Sequence, residues 1–483
     1  MPHFTPVLVG IAFAAVVVAL TAFARRLPIP VPILQVAAGL ALSLVPGITV
    51  PELEPEIVFF AFLPPILWAA AFFTSLREFN ANIRPISLLA IGLVLATTAV
   101  VAVVARALLP GIPWAAAVAL GAIVSPPDAV AAAAIISRLP VPRRVITILE
   151  GESLVNDASA LVLYRTAVAA VVTGSFSVGE SVVRFFIDAG VGALIGMLVA
   201  WVTLWFTRIT KDPLAETLLS ITAAYVAWVV AETVHVSAVL ACVAGGLYMR
   251  QHFSTLITPV SRIQSRAVWD LLVFVLNALI FVLLGLQFGV LLSSVPTDML
   301  RTAVWHGLVI GVVAIVVRLL WVPAGTAIPR WLSAEVRRRD PWPPAKNVFL
   351  IGWTSMRGIV SLATALALPK VLADGSPFPF RTEMILISIV VILLTLVVQG
   401  LTLAPIIRAF RFAPEHHHAA EERMARREAL RRAAETLDDL AREPGSDPAD
   451  IEYLRRELHE RQRYAEHHGG GTMARRRLKH QLI

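Results

Sequence analysis

The sequence predicts an all-α polytopic membrane protein, and three observations predict it. Of its 483 residues 57% are hydrophobic and 15% charged, where a soluble domain carries about 25% charged residues, and mean hydropathy is +0.76. Apolar runs long enough to cross roughly 30 Å of hydrocarbon as helix recur as far as Arg411, after which the chain turns hydrophilic. The basic residues gather in alternate loops between those runs. A net charge of +8 therefore reads as the positive-inside rule rather than as a nucleic-acid footprint, and no nucleic-acid partner is expected. The single Cys242, inside an apolar run, excludes a disulfide framework and a cysteine-type metal site.

Run lengths and breaker residues place about thirteen spans, near 4–25, 28–48, 57–76, 85–108, 113–137, 145–173, 179–207, 214–232, 236–250, 265–294, 303–328, 345–369 and 382–409. The first run has no basic segment before it and ends at Arg25 and Arg26, so it reads as a membrane helix rather than a cleavable signal. Loops expected in the cytoplasm hold Arg25/Arg26, Arg77/Arg84, Arg138/Arg143/Arg144, Arg208/Lys211, Arg250/Arg262/Arg266 and Arg330/Arg337/Arg338/Arg339/Lys346; the opposite loops hold Arg106, Arg301, Lys370 and Arg381. This asymmetry predicts an odd span count, with the N-terminus outside and the C-terminus inside a plasma (inner) membrane.

Such a count divides as six spans, a linker and six, giving two halves of inverted orientation, a design of secondary transporters. The fifth span is interrupted by SPPD, Ser125 to Asp128, and the twelfth by GWTSMRG, Gly352 to Gly358. Interruptions at corresponding places in two halves point to a binding site. The expected domains are a membrane domain, 1–411, and a C-terminal tail, 412–483. In the tail, composition predicts helices near 418–442 and 448–466 separated by EPGSDP, with His416 to His418 read as solvated.

The chemistry concentrates in ILEGESLVNDASALVLY, Ile148 to Tyr164. A carboxylate at mid-membrane costs roughly 2.5–3.5 kcal/mol on insertion scales, so Glu152 and Asp157 must be paired, protonated or ion-bound. Ser153 and Asp157 are four residues apart and share one helical face; Glu152 and Asn156 share the adjacent one. Pro126 and Pro127 lack amide hydrogens and free upstream carbonyls, and Asp128 adds a carboxylate. Hard oxygen ligands of this kind suit an alkali cation. Arg357, in mid-span, requires a carboxylate, and Glu152 is the expected partner, with Asn156 taking up the remaining hydrogen-bonding capacity. Asp157 is left to bind either a proton or a cation. That competition couples the two, and one charge on either leg predicts electroneutral 1:1 exchange.

EGESLVNDASALVLY, SPPDAVA and SMRGIVSLA, with FLPPILWAAAF near 62–72 and LLVFVLNALIFVLLG near 271–285, resemble the sodium/proton exchangers of the cation:proton antiporter-1 family across nearly the whole membrane domain. The resemblance implies a homodimer, a core domain with crossed broken helices, and elevator-like movement against a dimerisation domain. It implies Asp157 as carrier of Na+ and H+, Ser153 and Asp128 as further cation ligands, and Glu152, Asn156 and Arg357 as a stabilising network, with no cofactor. Asn156 ahead of Asp157 fits the electroneutral branch. Two departures stand out: Pro127 replaces a threonine common in the family, and Trp68 and Ala69 stand where members often carry an acid. Na+ is the expected cation, with Li+ or K+ also accepted; a K+/H+ antiporter is the alternative within the class, and a non-transporting receptor or structural module the alternative outside it.

Overall fold

A computed structural model of the chain describes residues 30–45, 55–137, 139–174, 178–210, 212–372, 374–412, 416–442 and 447–467. The expected first span, 4–25, lies outside the described residues. Two compact units emerge, Met1–Phe412 and Ala413–Ile483.

The first unit is built of helices α1 (Val31–Ser43), α2 (Pro55–Phe73), α3 (Leu76–Ala81), α4 (Ile83–Leu108), α5 (Trp114–Val124), α6 (Ala129–Ile136), α7 (Arg143–Thr173), α8 (Val178–Thr210) and α9 (Pro213–Thr233). It continues with α10 (Ala238–Leu256), α11 (Pro259–Ser294), α12 (Thr297–Leu332), α13 (Ala334–Arg339), α14 (Ala345–Trp353), α15 (Ile359–Leu366) and α16 (Arg381–Phe410). Seven helices among the described residues are individually long and apolar enough to cross a membrane. Among the described residues, the expected spans near 28–48, 57–76 and 236–250 appear as shorter helices, and those at α5/α6 and α14/α15 as two half-helices around a break.

Local chemistry explains the boundaries. Pro142 precedes α7, where its fixed φ starts a helix at no hydrogen-bonding cost, and Gly174 closes it at φ 70°, in the left-handed region open to glycine. In α4, the stretch Leu88–Leu93 is π-helical, and Leu88 O accepts from Trp321 Nε1 at 3.2 Å, a side-chain donor on a carbonyl of the irregular turn.

Packing divides these helices into two bundles. Helices α1, α2 and α8–α11 pack mainly on one another, and α4–α7, α12 and α14–α16 form the second group. The crossing of α1 and α11 depends on small residues: a Cβ on Gly39 would lie 2.0 Å from Val282 O, and one on Gly285 2.0 Å from Val36 O. Such backbone approach is how membrane helices gain contact without a hydrophobic driving force. The two bundles meet where α2 and α11 face α6, α7 and α15, and the candidate site lies along that seam.

One end of the second bundle gathers the arginines of the expected cytoplasmic loops. Asp340 accepts hydrogen bonds from Arg84 and Arg330 on Oδ2 and from Arg144 on Oδ1, each at 2.7 Å. Partial burial pushes the Asp340 carboxyl up, but the Arg144 hydrogen bond and the charges of Arg144, Arg330 and Arg84 outweigh it and hold it below the usual carboxylate range. This ties the starts of α4 and α7 to the end of α12.

The second unit contains α17 (His416–Leu440) and α18 (Pro448–His467), which fall on the two tail helices expected from composition. They are joined by an Arg455–Asp438 pair at 2.8 Å. The side chains of His416 to His418 lie outside the described residues.

Candidate functional site

The first break follows from its two prolines. With no N–H at Pro126 and Pro127, α5 stops at Val124, and α6 restarts with Asp128 as its N-cap, Oδ1 accepting from Val130 N at 2.8 Å. The carbonyls around the break find side-chain donors instead. Ala122 O accepts from Ser125 Oγ at 3.1 Å, Val124 O from Arg357 Nε at 3.0 Å, and Pro127 O from Asn156 Nδ2 at 2.8 Å.

The second break, Thr354 to Gly358, has no proline. Arg357 holds it: its backbone N–H donates to Thr395 Oγ1 at 3.1 Å, and its Nη1 donates to Ser355 O and Ser355 Oγ, both at 2.7 Å. The two breaks touch directly, with Asp128 N–H donating to Met356 O at 2.6 Å. Gly358 permits this approach, because a Cβ there would lie 1.8 Å from Asp128 Oδ2.

These contacts correct the expected network. Glu152 pairs with Arg318 of α12, not with Arg357: Arg318 Nη1 donates to Oε1 and Nη2 to Oε2, the latter at 2.7 Å, while Nε reaches Ile351 O at 3.1 Å. Glu152 and Arg318 are each 1% exposed. A planar guanidinium fork matches a carboxylate edge bidentately, so one arginine satisfies Glu152 and leaves Arg357 to the carbonyls that the breaks strand in the interior. Asn156 likewise serves the first break through Pro127 O rather than the Glu152 pair. The sequence did carry a signal for Arg318. It stands in an apolar span, 303–328, and Arg357 alone cannot balance Glu152, Asp128 and Asp157.

Asp157 is unlike Glu152, Arg318 and Arg357. It is 9% exposed, and among the described residues it accepts no hydrogen bond and forms no ion pair. It borders a cavity of about 390 Å³ together with Pro126, Asp128, Ser153, Gly358 and Ser361. Glu150, Arg266 and Asp270 also line it; Arg266 and Asp270 pair at 3.0 Å with more than half of each side chain exposed. The cavity thus runs from a solvated ion pair to Asp157.

Asp157, Ser153, Asp128 and Pro126 therefore border one cavity. Pro127 does not line the cavity, and Asn156 occupies its carbonyl. On the opposite wall, α2 presents Ala69, Ala70 and other apolar groups, with Thr74, whereas Trp68 is fully buried away from it. Two carboxylates and a hydroxyl form a hard-oxygen set, and no group of three or more His, Cys, Asp or Glu that could hold a metal ion occurs among the described residues.

Comparison with known proteins places this architecture. A sequence profile of the family described as "Sodium/hydrogen exchanger, transmembrane" matches residues 12–409. An uncharacterised Na+/H+ exchanger of Mycobacterium tuberculosis is 34% identical over 456 residues, covering 93% of this chain and 83% of that protein. A sodium, potassium, lithium and rubidium/H+ antiporter of Bacillus subtilis is 35% identical, covering 81% of this chain and 61% of its own length. The fold is similar to that of the sodium proton antiporter MjNhaP1 from Methanocaldococcus jannaschii, with a TM-score of 0.64 at 19% identity over 85% of this chain and 100% of that one. The chain belongs to the sodium/hydrogen exchanger family and is a monovalent cation/proton antiporter.

Proposed function

We propose that the protein exchanges Na+ for H+ one for one by alternating access, with Asp157 as the carrier of both. The observation that supports this is Asp157 itself: a buried carboxylate that faces a cavity while the neighbouring Glu152 is fully paired. The charges gathered around the two breaks are Glu152, Asp128 and Asp157 against Arg318 and Arg357, which leaves one negative charge. One proton or one monovalent cation on Asp157 neutralises it, so either form meets the lowest barrier to crossing the seam, and the empty charged form is held back. Ser153 and Asp128 supply further oxygens to the cation, with Pro126 at the break. Glu152 with Arg318, and Asn156 and Arg357 on the carbonyls, keep the two breaks in register.

The division into two bundles supports movement of α4–α7, α12 and α14–α16 against α1, α2 and α8–α11, the latter forming the dimerisation domain of a homodimer. The arginine-rich end reads as cytoplasmic, so the cavity faces inward in this conformation, and the tail is cytoplasmic in a plasma-membrane protein. K+ remains a second cargo, favoured by the relative from Bacillus subtilis named for sodium, potassium, lithium and rubidium exchange.

Proteoliposomes with an internal pH dye test this reading. Na+ should dissipate an imposed pH gradient in the wild type, and Asp157→Asn should lower the rate by about a hundredfold or more, with an unchanged melting temperature because no protein partner is lost. The rate should not change when valinomycin clamps the membrane potential. A potential-dependent rate contradicts 1:1 exchange, and retained transport in Asp157→Asn contradicts the carrier assignment.

A further inference from the structure

The cation ligands named so far all come from the first broken span and α7, in one half of the chain. Across the cavity, α15 contributes Gly358 at its N-cap and Ser361 three residues on, and both border the same space. Residues at this spacing share a helical face, so the face that lets Asp128 approach also carries a hydroxyl.

Ser361 is 1% exposed, and its Oγ makes no hydrogen bond among the described residues. This departs from its neighbours. Thr364 donates to Val360 O at 2.7 Å, Ser388 to Met384 O at 2.7 Å and Ser159 to Val155 O at 3.2 Å, the usual back-bond that quiets a helical hydroxyl. Ser361 cannot copy it, because its acceptor four residues back is Arg357, inside the non-helical break, while Gly358 O receives Leu362 N at 3.3 Å. A buried hydroxyl left without a partner beside carboxylates calls for a ligand.

We propose that Ser361 Oγ is a specificity-determining ligand of the transported cation, closing the coordination shell from the second broken helix. The inference rests on Asp157 as the carrier site. Its oxygen is covered from solvent, so a cation that meets it has shed water on that side. Discrimination between cations of different size and hydration then depends on this contact.

Saturation of exchange in proteoliposomes, with Na+, Li+, K+ and Tl+ as probes, tests it on full-length wild type, Ser361→Ala, Ser361→Thr, Ser361→Cys and Asp157→Asn. Removing the hydroxyl in Ser361→Ala should raise half-saturating Na+ by about fivefold, by a different factor for each cation, with maximal rate and its pH profile within about twofold of wild type. Ser361→Thr should restore the wild-type order, and Ser361→Cys should shift preference toward the softer Tl+. Unchanged half-saturation, or an equal change for all four cations, overturns the proposal; if the alanine variant fails to fold, the threonine and cysteine variants decide it by the same criteria. Transport persisting in Asp157→Asn would defeat the underlying site reading, whereas loss there with no selectivity change at Ser361 defeats this inference alone.

Discussion

Glu152 and Asp157 stand five residues apart on one helix, both buried, and the molecule treats them in opposite ways. Glu152 is gripped on both oxygens by Arg318; Asp157 has no protein partner among the described residues and faces the cavity. Burial is similar, 1% and 9% exposed, so burial does not separate the two roles. The partner does. A carboxylate whose lone pairs are filled by a fixed cation is held as structure, whereas one left open is available to a mobile ion, the role proposed for Asp157.

Substitution at Glu152 should have the largest effect on stability. Glu152→Gln leaves Arg318 charged and buried without its counter-ion, and removing one partner of a buried pair costs about 3–5 kcal/mol. The expected result is a large fall in the melting temperature of the purified protein. Glu152→Gln with Arg318→Met removes both charges and should recover most of the loss. Equal destabilisation in the single and double variants would show that the pair does not hold the site. Exchange should persist in the double variant, since the site then carries two negative charges against Arg357, as in the wild type after subtraction of a neutral pair.

A smaller effect is expected at the solvated end, where Asp340 gathers three guanidinium groups with one-fifth of its side chain exposed. Solvent screens this network, so Asp340→Asn should cost about 1 kcal/mol. The folded-state carboxyl lies below its usual range, so its contribution is present above the unfolded value, near 3.9, and is lost only as pH falls through the folded value. The stability difference between wild type and Asp340→Asn should therefore be constant from about pH 6 to pH 8, as measured by thermal unfolding in detergent. A difference that vanishes within that window would mean Asp340 is not held charged by its arginines.

Much of the site was legible because it is written in local chemistry. Pro126 and Pro127 remove hydrogen-bond donors whatever surrounds them, so the first break could be placed from sequence, and the i,i+4 spacing of Ser153 and Asp157 put both on the cavity face. The second break was located through Arg357 but misassigned in its contacts. Which of two buried arginines meets Glu152 depends on how α12 packs, at a separation of 166 residues, and no local pattern encodes that. Arg318 by itself reads either as snorkelling to an interface or as pairing with a nearby acid; the charge balance of the site is the clue that favours the pair. Ser361 was invisible for the reverse reason, since a serine in a helix ordinarily satisfies itself, and only the break at Arg357 denies it that option.

If, as proposed, Asp157 holds either a proton or a cation and nothing else in the site exchanges, Na+ binding must displace the proton. Proton release on adding Na+ to the purified protein in weakly buffered detergent solution, at a pH where the unloaded site is protonated, measures this directly. The wild type should release about one proton for each Na+ bound, and Asp157→Asn none. Wild-type release from an Asp157→Asn protein of unchanged stability would contradict the account.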